Sequence, residues 1–360
     1  MQGVYLDWAA TAPLKPEAAD AMAEAAARLQ SGEWANPSSQ HRPGRAARRA
    51  LERARESLAG FFNVPPDSLV FTSGGTEALA LALGGWATGP RLVLATEHAA
   101  VLEAAPDAAR LPVDADGLLV PSALDGIPAG ALVAVQQANN ETGVVQDVAA
   151  IAGAVHAAGG AIVCDAVQAA GKLPLPAAAD LVAVSAHKLG GPAGTGALIV
   201  RCRERLRAIQ RGGGQEQGLR GGTENLVGIL GFAAAAEAFD AGFPARAARL
   251  QQRLEAGARA IGVRVNAEMA PRVPTISSLH LPGVPAATQL MAMDLAGIAV
   301  SQGAACSSGT LRPSAVLAAM GLADAASQSL RVSLGWTTTE ADIDRFLAVL
   351  GDVAARRRAA

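Results

Sequence analysis

Two runs decide the fold: Ala161-Ile162-Val163-Cys164-Asp165-Ala166-Val167-Gln168, and after it Leu181-Val182-Ala183-Val184-Ser185-Ala186-His187-Lys188. Each opens on a short apolar stretch containing β-branched residues and ends on polar ones. Such a stretch offers no polar face to water, so it reads as a strand covered on both sides. Comparable runs stand at Leu69–Thr72, Arg91–Ala95, Ala131–Gln136 and Ala197–Arg201. Helical stretches at Glu77–Trp86, Ala99–Ala105 and Val148–Ala158 separate several of them. The alternation predicts an α/β fold whose mainly parallel sheet is flanked by crossover helices.

Outward from this centre, Pro43–Phe62 reads as a basic amphipathic helix, rich in Arg and Ala, presenting a solvated face. Leu226–Phe243 is the stretch most like a membrane span, but Glu237 and Asp240 interrupt it, and a buried helix explains it better. Beyond about residue 240 the texture changes. A helix near Ala245–Ile261 precedes strand-like pieces at Val263–Val265 and Ile276–Leu281. Then follow a helix at Ala286–Ala296, a small-residue loop at Ser301–Thr310, a strand at Ser329–Ser333 and a closing helix from Thr339. The expected division is a large α/β domain over residues 14–240 and a smaller α+β domain made of 1–13 and 241–360.

The 360 residues are too many for one small core. Thirty basic against 32 acidic residues leave a formal charge of −2, which argues against a nucleic-acid binder. Charged residues make up 17%, below the ~25% of an average globular chain, and 51% are hydrophobic, so disorder is not expected. Only 7 Phe, 4 Trp and 1 Tyr are present, so the core must pack small side chains closely. Cys164, Cys202 and Cys306 are too few and scattered for a disulfide framework, and without a Cys-x-x-Cys pair no metal site is expected. The start, Met1 to Asp7, has neither a basic nor an apolar region of the secretory kind. A soluble cytoplasmic protein without a membrane segment is the expectation.

In open parallel sheets ligands sit beyond the carboxyl ends of the strands. Ser73-Gly74-Gly75-Thr76-Glu77 follows one strand and opens a helix, where free N–H groups can take a phosphate; alone, it reads more readily as a tight turn with an N-cap. Asp165 closes another strand among apolar neighbours and requires a cationic partner unless it merely caps the next segment. Lys188 stands 23 residues further on, at a strand end before a glycine-rich turn. In an apolar cleft such an amine loses its charge readily and becomes nucleophilic; on a surface it would do nothing. Gly171-Lys172 is no phosphate loop, because Ala166 and Leu173 break the Walker pattern. An anion site, a buried acid, a hydrogen-bonding Gln168 and an activated lysine together describe what pyridoxal 5'-phosphate demands. Cys306, in Ser301-Gln302-Gly303-Ala304-Ala305-Cys306-Ser307-Ser308-Gly309-Thr310, lies in a loop of small residues with no apolar run to bury it. It is a candidate nucleophile, whereas Cys164 and Cys202 lie within or at the ends of strands and read as packing residues.

At these residues the sequence resembles the cysteine desulfurases of the NifS/IscS type, within the class V aminotransferase group of fold-type-I pyridoxal phosphate enzymes. The resemblance runs over nearly the whole chain. It rests on Tyr5–Pro13, Asn36-Pro37-Ser38-Ser39-Gln40-His41, Phe71–Glu77, Glu97-His98, Asn139-Asn140-Glu141-Thr142-Gly143, Asp165–Gln168, Ser185–Lys188, Arg220-Gly221-Gly222-Thr223-Glu224-Asn225 and Arg331-Val332-Ser333.

The resemblance implies that Lys188 is the Schiff-base lysine, that Asp165 partners the pyridine nitrogen and that Gln168 donates to the ring phenolate. His98 would stack on the ring and pass protons. Gly75, Thr76, Ser185 and His187 would hold the phosphate, with Thr223 supplied by the second subunit of a homodimer. Asn140 would sit beside the ring, and Arg331, with Asn36 nearby, would clamp the substrate carboxylate. It further implies that L-cysteine becomes L-alanine, that the freed Lys188 amine takes the α-proton, and that Cys306 receives the sulfur as a persulfide. The sulfur would pass to an acceptor such as an iron–sulfur scaffold protein.

The sequence departs from the family at Trp8, where Tyr is common, and at Gln215-Glu216-Gln217, where many members carry a His. It also reaches Ala360 soon after its last helix, whereas longer members carry an extension that docks the scaffold. Another class V activity, a selenocysteine lyase or an aminotransferase, would use the same pocket but would not need Cys306. An inactive sulfur-carrier platform would not need Lys188 or Arg331.

Overall fold

Val4–Tyr5 forms β1, followed by α1 (Pro16–Gln30) and α2 (Arg42–Phe62), in a computed structural model that describes residues 3–303 and 312–359. His41 caps α2, its Nδ1 accepting from Gly44 N at 3.2 Å, and Asn63 closes it in a left-handed conformation at φ 54°. Ala47, Ala50, Leu51, Ala54, Leu58 and Phe62 recur at helical spacing and are buried, so α2 lies on the core by one stripe. The expected solvated face is only its other side. Arg55 belongs to the buried side: its Nη1 donates to Leu69 O at 2.6 Å and its guanidinium grips the Glu216 carboxylate.

The central sheet follows in chain order: β2 (Leu69–Thr72), α3 (Gly75–Gly84), β3 (Arg91–Leu94), α4 (Ala99–Ala104), β4 (Ala109–Leu111), β5 (Leu132–Gln136), α5 (Val148–Ala157), β6 (Ala161–Asp165), β7 (Leu181–Ser185) and β8 (Gly196–Val200). Its strands lie in the order β2-β8-β7-β6-β5-β3-β4. From β4 to β7 every pairing is parallel, while β8 runs antiparallel to both β7 and β2. The turn from Ser185 to Gly196 is too short for a crossover helix, so β8 can only double back. Because β8 is reversed between them, β2 regains the direction of the parallel set. The ends of β2, β3, β5, β6 and β7 therefore share one edge of the sheet.

One face of the sheet packs Leu51 and Leu58 of α2 with Ile151 and Val155 of α5. Ile229 and Phe232 of α6 (Leu226–Glu237) join that layer, so the apolar stretch at 226–243 is a buried helix followed by a turn. The other face packs Leu79, Leu81 and Leu83 of α3 and Val101 of α4. Among the described residues no helix is long and apolar enough to cross a membrane.

The remainder comprises α7 (Phe243–Ala260), β9 (Arg264–Val265), β10 (Ile276–His280), α8 (Ala286–Leu295), β11 (Ile298–Ala299), α9 (Ala315–Ala319), α10 (Ala323–Ala326), β12 (Ser329–Ser333) and α11 (Glu340–Ala359). Strands β12, β10 and β9 form an antiparallel sheet, and β1 pairs in parallel with β11. Val4 and Leu6 share an apolar cluster with Leu254, Leu279, Leu330 and Phe346. The first residues of the chain are thus built into the C-terminal layer.

Candidate active site

The polar ends of the strands enclose a cavity of about 340 Å³, lined among others by Gly75, His98, Asp165, Ser185, Lys188 and Arg331. Thr76, Asn140, Gln168 and His187 line it as well. Strand β7 delivers Lys188 through the single turn Ala186–Lys188. The lysine Nζ donates to Ala9 O and Ala10 O, at 2.6 Å each. Those carbonyls are fixed by Ala9 N donating to Ser333 Oγ at 2.9 Å and by Ala12 N donating to His187 O at 2.9 Å.

Strand β6 ends on Asp165, whose Oδ1 accepts from Val167 N at 2.9 Å. Burial raises its pKa, against the opposing pull of that hydrogen bond, His98 and Lys188. Behind it, Glu97 is fully enclosed: Oε1 accepts from Gln136 N at 2.5 Å and Oε2 has no partner. Burial, together with the nearby Asp165, pushes the Glu97 carboxyl well above the usual range. Gln136 in turn donates to Thr96 Oγ1 at 2.9 Å, and Asn139 donates to Gln136 Oε1 at 3.2 Å. These bonds brace the floor of the cavity.

Helix α3 begins at Gly75 without a side-chain cap, which leaves the N–H groups of its first turn directed at the cavity mouth. A Cβ on Gly75 would stand 2.6 Å from Val167 Cγ2, so glycine is what lets the helix start approach β6. Ser185 is buried beside it. His187 Nδ1 lies 2.6 Å from Thr11 Oγ1, and burial followed by the Lys188 charge pushes the imidazole down to about 4; it is neutral at pH 7. His98 caps α4, its Nδ1 accepting from Ala100 N at 3.1 Å, which places the proton of the neutral ring on Nε2. Gln168 is buried, its Nε2 donating to Ala9 O at 2.8 Å while its Oε1 has no partner.

Arg331 reaches the cavity from β12. Its Nη1 donates to Asn140 O at 3.0 Å and its Nη2 to Asp7 Oδ1 at 2.8 Å, while Nε is unpartnered and buried. Ser301 pairs backbone to backbone with Arg331, and Gln302 Nε2 donates to Arg312 O at 3.0 Å. Ser314 Oγ donates to Glu141 Oε2 at 2.5 Å, and a Cβ on Gly303 would stand 2.8 Å from the same oxygen. The segment that carries Cys306 thus leaves from and returns to the neighbourhood of Glu141. Cys306 itself lies outside the described residues.

Two residues of the sequence reading are not brought to this cavity. Asn36 is exposed, its Oδ1 accepting from Ser38 N at 2.9 Å in a local turn. Thr223 is exposed as well and does not line it. Cys164 and Cys202 are buried, as expected of packing residues. Residues the sequence reading passed over include Asp7, Thr11, Glu97, Gln136 and Glu141. Glu97 and Glu141 had stood inside quoted motifs, and an acid flanked by a β-strand end was the available signal.

The aminotransferase class-V family model matches residues 4–346. The chain belongs to that family. Among class-V relatives, a cysteine desulfurase of Cereibacter sphaeroides is 40% identical, covering 100% of this chain and 97% of its own. The structure of a NifS-like protein from Rickettsia africae superposes with a TM-score of 0.87 at 30% identity, covering 98% of this chain and 100% of that one. A structure of SspA in complex with cysteine gives 0.80 at 28% identity, covering 92% and 98%. A class-V aminotransferase fold with a mainly parallel sheet is what these likenesses share.

Proposed function

We propose that this protein is a pyridoxal phosphate-dependent cysteine desulfurase, converting L-cysteine to L-alanine with the sulfur passing to Cys306. The observation that carries the reading is the convergence of Lys188, Asp165 and the uncapped start of α3 on one cavity. The chemistry of that donor set fits the cofactor. Asp165 is a half-buried carboxylate whose pKa burial raises, with no salt bridge among the described residues, which suits a protonated pyridine nitrogen. Gly75, Thr76, Ser185 and the neutral His187 suit a phosphate at a helix start. Gln168 would support the ring hydroxyl, and Lys188 would be the amine that takes the cofactor aldehyde. When bound, pyridoxal phosphate supplies an electron sink for the α-carbon of an attached amino acid.

The chain's own residues do the rest. Arg331, oriented by Asp7 and Asn140 O and keeping Nε unpartnered, receives the cysteine carboxylate through its planar fork. Lys188, held between the Ala9 and Ala10 carbonyls, is placed to take the α-proton. His98, its Nδ1 held by Ala100 N, holds or passes a proton at Nε2 where it lines the cavity, and would lie against the cofactor when that is bound. Cys306 breaks the Cβ–S bond of the substrate: an S–S bond forms, and the proton of its thiol is formally carried to the alanine methyl group. No external oxidant or reductant enters that balance. The exposed Thr223 completes the phosphate site of a second copy, making the active form a homodimer. A reducing, cytoplasmic compartment and a thiol-bearing acceptor such as an iron–sulfur scaffold follow from the persulfide.

The test is stoichiometry. With pyridoxal phosphate, L-cysteine and a dithiol, alanine and sulfide should appear in equal amounts. Cys306→Ser should keep the cofactor absorbance and lose sulfide release. Undiminished release from that variant would remove the reading.

A further inference from the structure

Lys172 sits one helical turn beyond Gln168 and was set aside as a phosphate-loop residue on its sequence pattern. Its Nζ donates to Gln168 O at 3.0 Å, the backbone of a residue lining the main cavity. Gly171, with φ +75°, packs so tightly that a Cβ there would stand 2.6 Å from Leu189 Cδ2, so this turn lies directly on the residue after Lys188. Lys172 and Lys188 line one small cavity, walled by Trp8, Phe239, Phe243 and Trp336. Burial, and then the Lys188 charge, push the Lys172 amine down to about 7, with no carboxylate acting on it.

Other charges surround the pair at a remove. His98, Asp165 and the neutral His187 face Lys188 from the main cavity. Lys15 lies over the Phe239 and Trp336 rings, 5.3 and 5.1 Å from their centres. Arg201 shares with Lys172 a neighbouring cavity of about 410 Å³. Asp165 is the one carboxylate among them, and it stands on the Lys188 side.

We infer that Lys172 is a positioning residue for Lys188: anchored on Gln168 O beside a shared aromatic-walled cavity, it disfavours a second positive charge at the Lys188 nitrogen. Two like charges facing one small cavity each disfavour the other's charged form. The inference rests on the reading of Lys188 as the cofactor lysine.

The experiment is a pH titration of the absorbance of bound pyridoxal phosphate in the intact holoenzyme, comparing wild type with Lys172→Gln and Lys172→Arg. Removing the charge should raise the midpoint by about one pH unit, roughly a tenfold gain in proton affinity, while the arginine variant keeps the wild-type midpoint. Lys172→Met, which refills the apolar wall, serves if the amide perturbs folding. A charge-free variant that binds the cofactor and titrates with wild type overturns the inference and leaves the role of Lys188 standing. Absence from wild type of any cofactor band that Lys188→Ala abolishes overturns both.

Discussion

Arg55 and Glu216 form a fully enclosed bidentate pair, with Nη2 to Oε1 at 2.7 Å and Nη1 to Oε2 at 3.0 Å. The same Oε2 accepts from Phe71 N at 2.7 Å, so the pair fixes the strand that leads to Gly75. Glu216→Ala should destabilise the fold by about 3 kcal/mol, because it takes from the buried guanidinium its enclosed partner, leaving only the part-exposed Glu52 and Leu69 O, and leaves the Phe71 N–H unpaired. Denaturant unfolding measures this. A double variant, Arg55→Met with Glu216→Leu, should recover part of the loss, since a matched apolar pair leaves no buried charge.

Glu97 makes a pH-dependent contribution of definite sign. Unfolded, it titrates near 4.3; folded, it holds its proton well above that. The folded state therefore binds more protons across the interval, and stability falls as pH rises from the unfolded value toward the folded one. Glutamine can still accept from Gln136 N and has no proton to lose. Glu97→Gln should match wild type near pH 4 and be the more stable of the two at pH 8. Thermal unfolding at the two pH values distinguishes this from a variant that is less stable at both.

Gly75→Ala should weaken cofactor binding more than it weakens the fold. The added methyl meets Val167 Cγ2 at 2.6 Å, and the start of α3 must retreat from the cavity. A loss of roughly tenfold in pyridoxal phosphate affinity is expected, with partial recovery when Val167→Ala is added. Equilibrium titration of the absorbance reads both.

Arg331→Lys should raise KM for L-cysteine by about tenfold or more while leaving the cofactor absorbance unchanged. Lysine can still pair with Asp7 but cannot present a planar fork to a carboxylate. Steady-state kinetics with L-cysteine provide the check; an unaltered KM would place the substrate carboxylate elsewhere.

The strands β2, β3 and β5 to β8 were legible because each is a continuous apolar run, and the site followed from looking just past their ends, where Asp165, Ser185 and Lys188 indeed meet. Strands β1 and β11 have two residues each, too few for any periodicity to register. Helix α1 starts after Lys15 with no side-chain cap, and so lacked a start signal beyond Pro16. The Ala9 and Ala10 carbonyls that hold Lys188 are main-chain groups, invisible in residue type. Lys172 and Glu216 carry their meaning through partners distant in the chain or in a cavity, which only three dimensions supply. Asn36 and Thr223 came from resemblance alone, and both stand on the exposed surface of this chain.

Because Gly303 and Ser314 both abut the Glu141 carboxylate, the stretch between them is stitched at its base to the body of the molecule. Chimaeras that take the corresponding stretch of a relative, cysteine included, should unfold at the wild-type midpoint, because Gly303 and Ser314 are kept as its moorings.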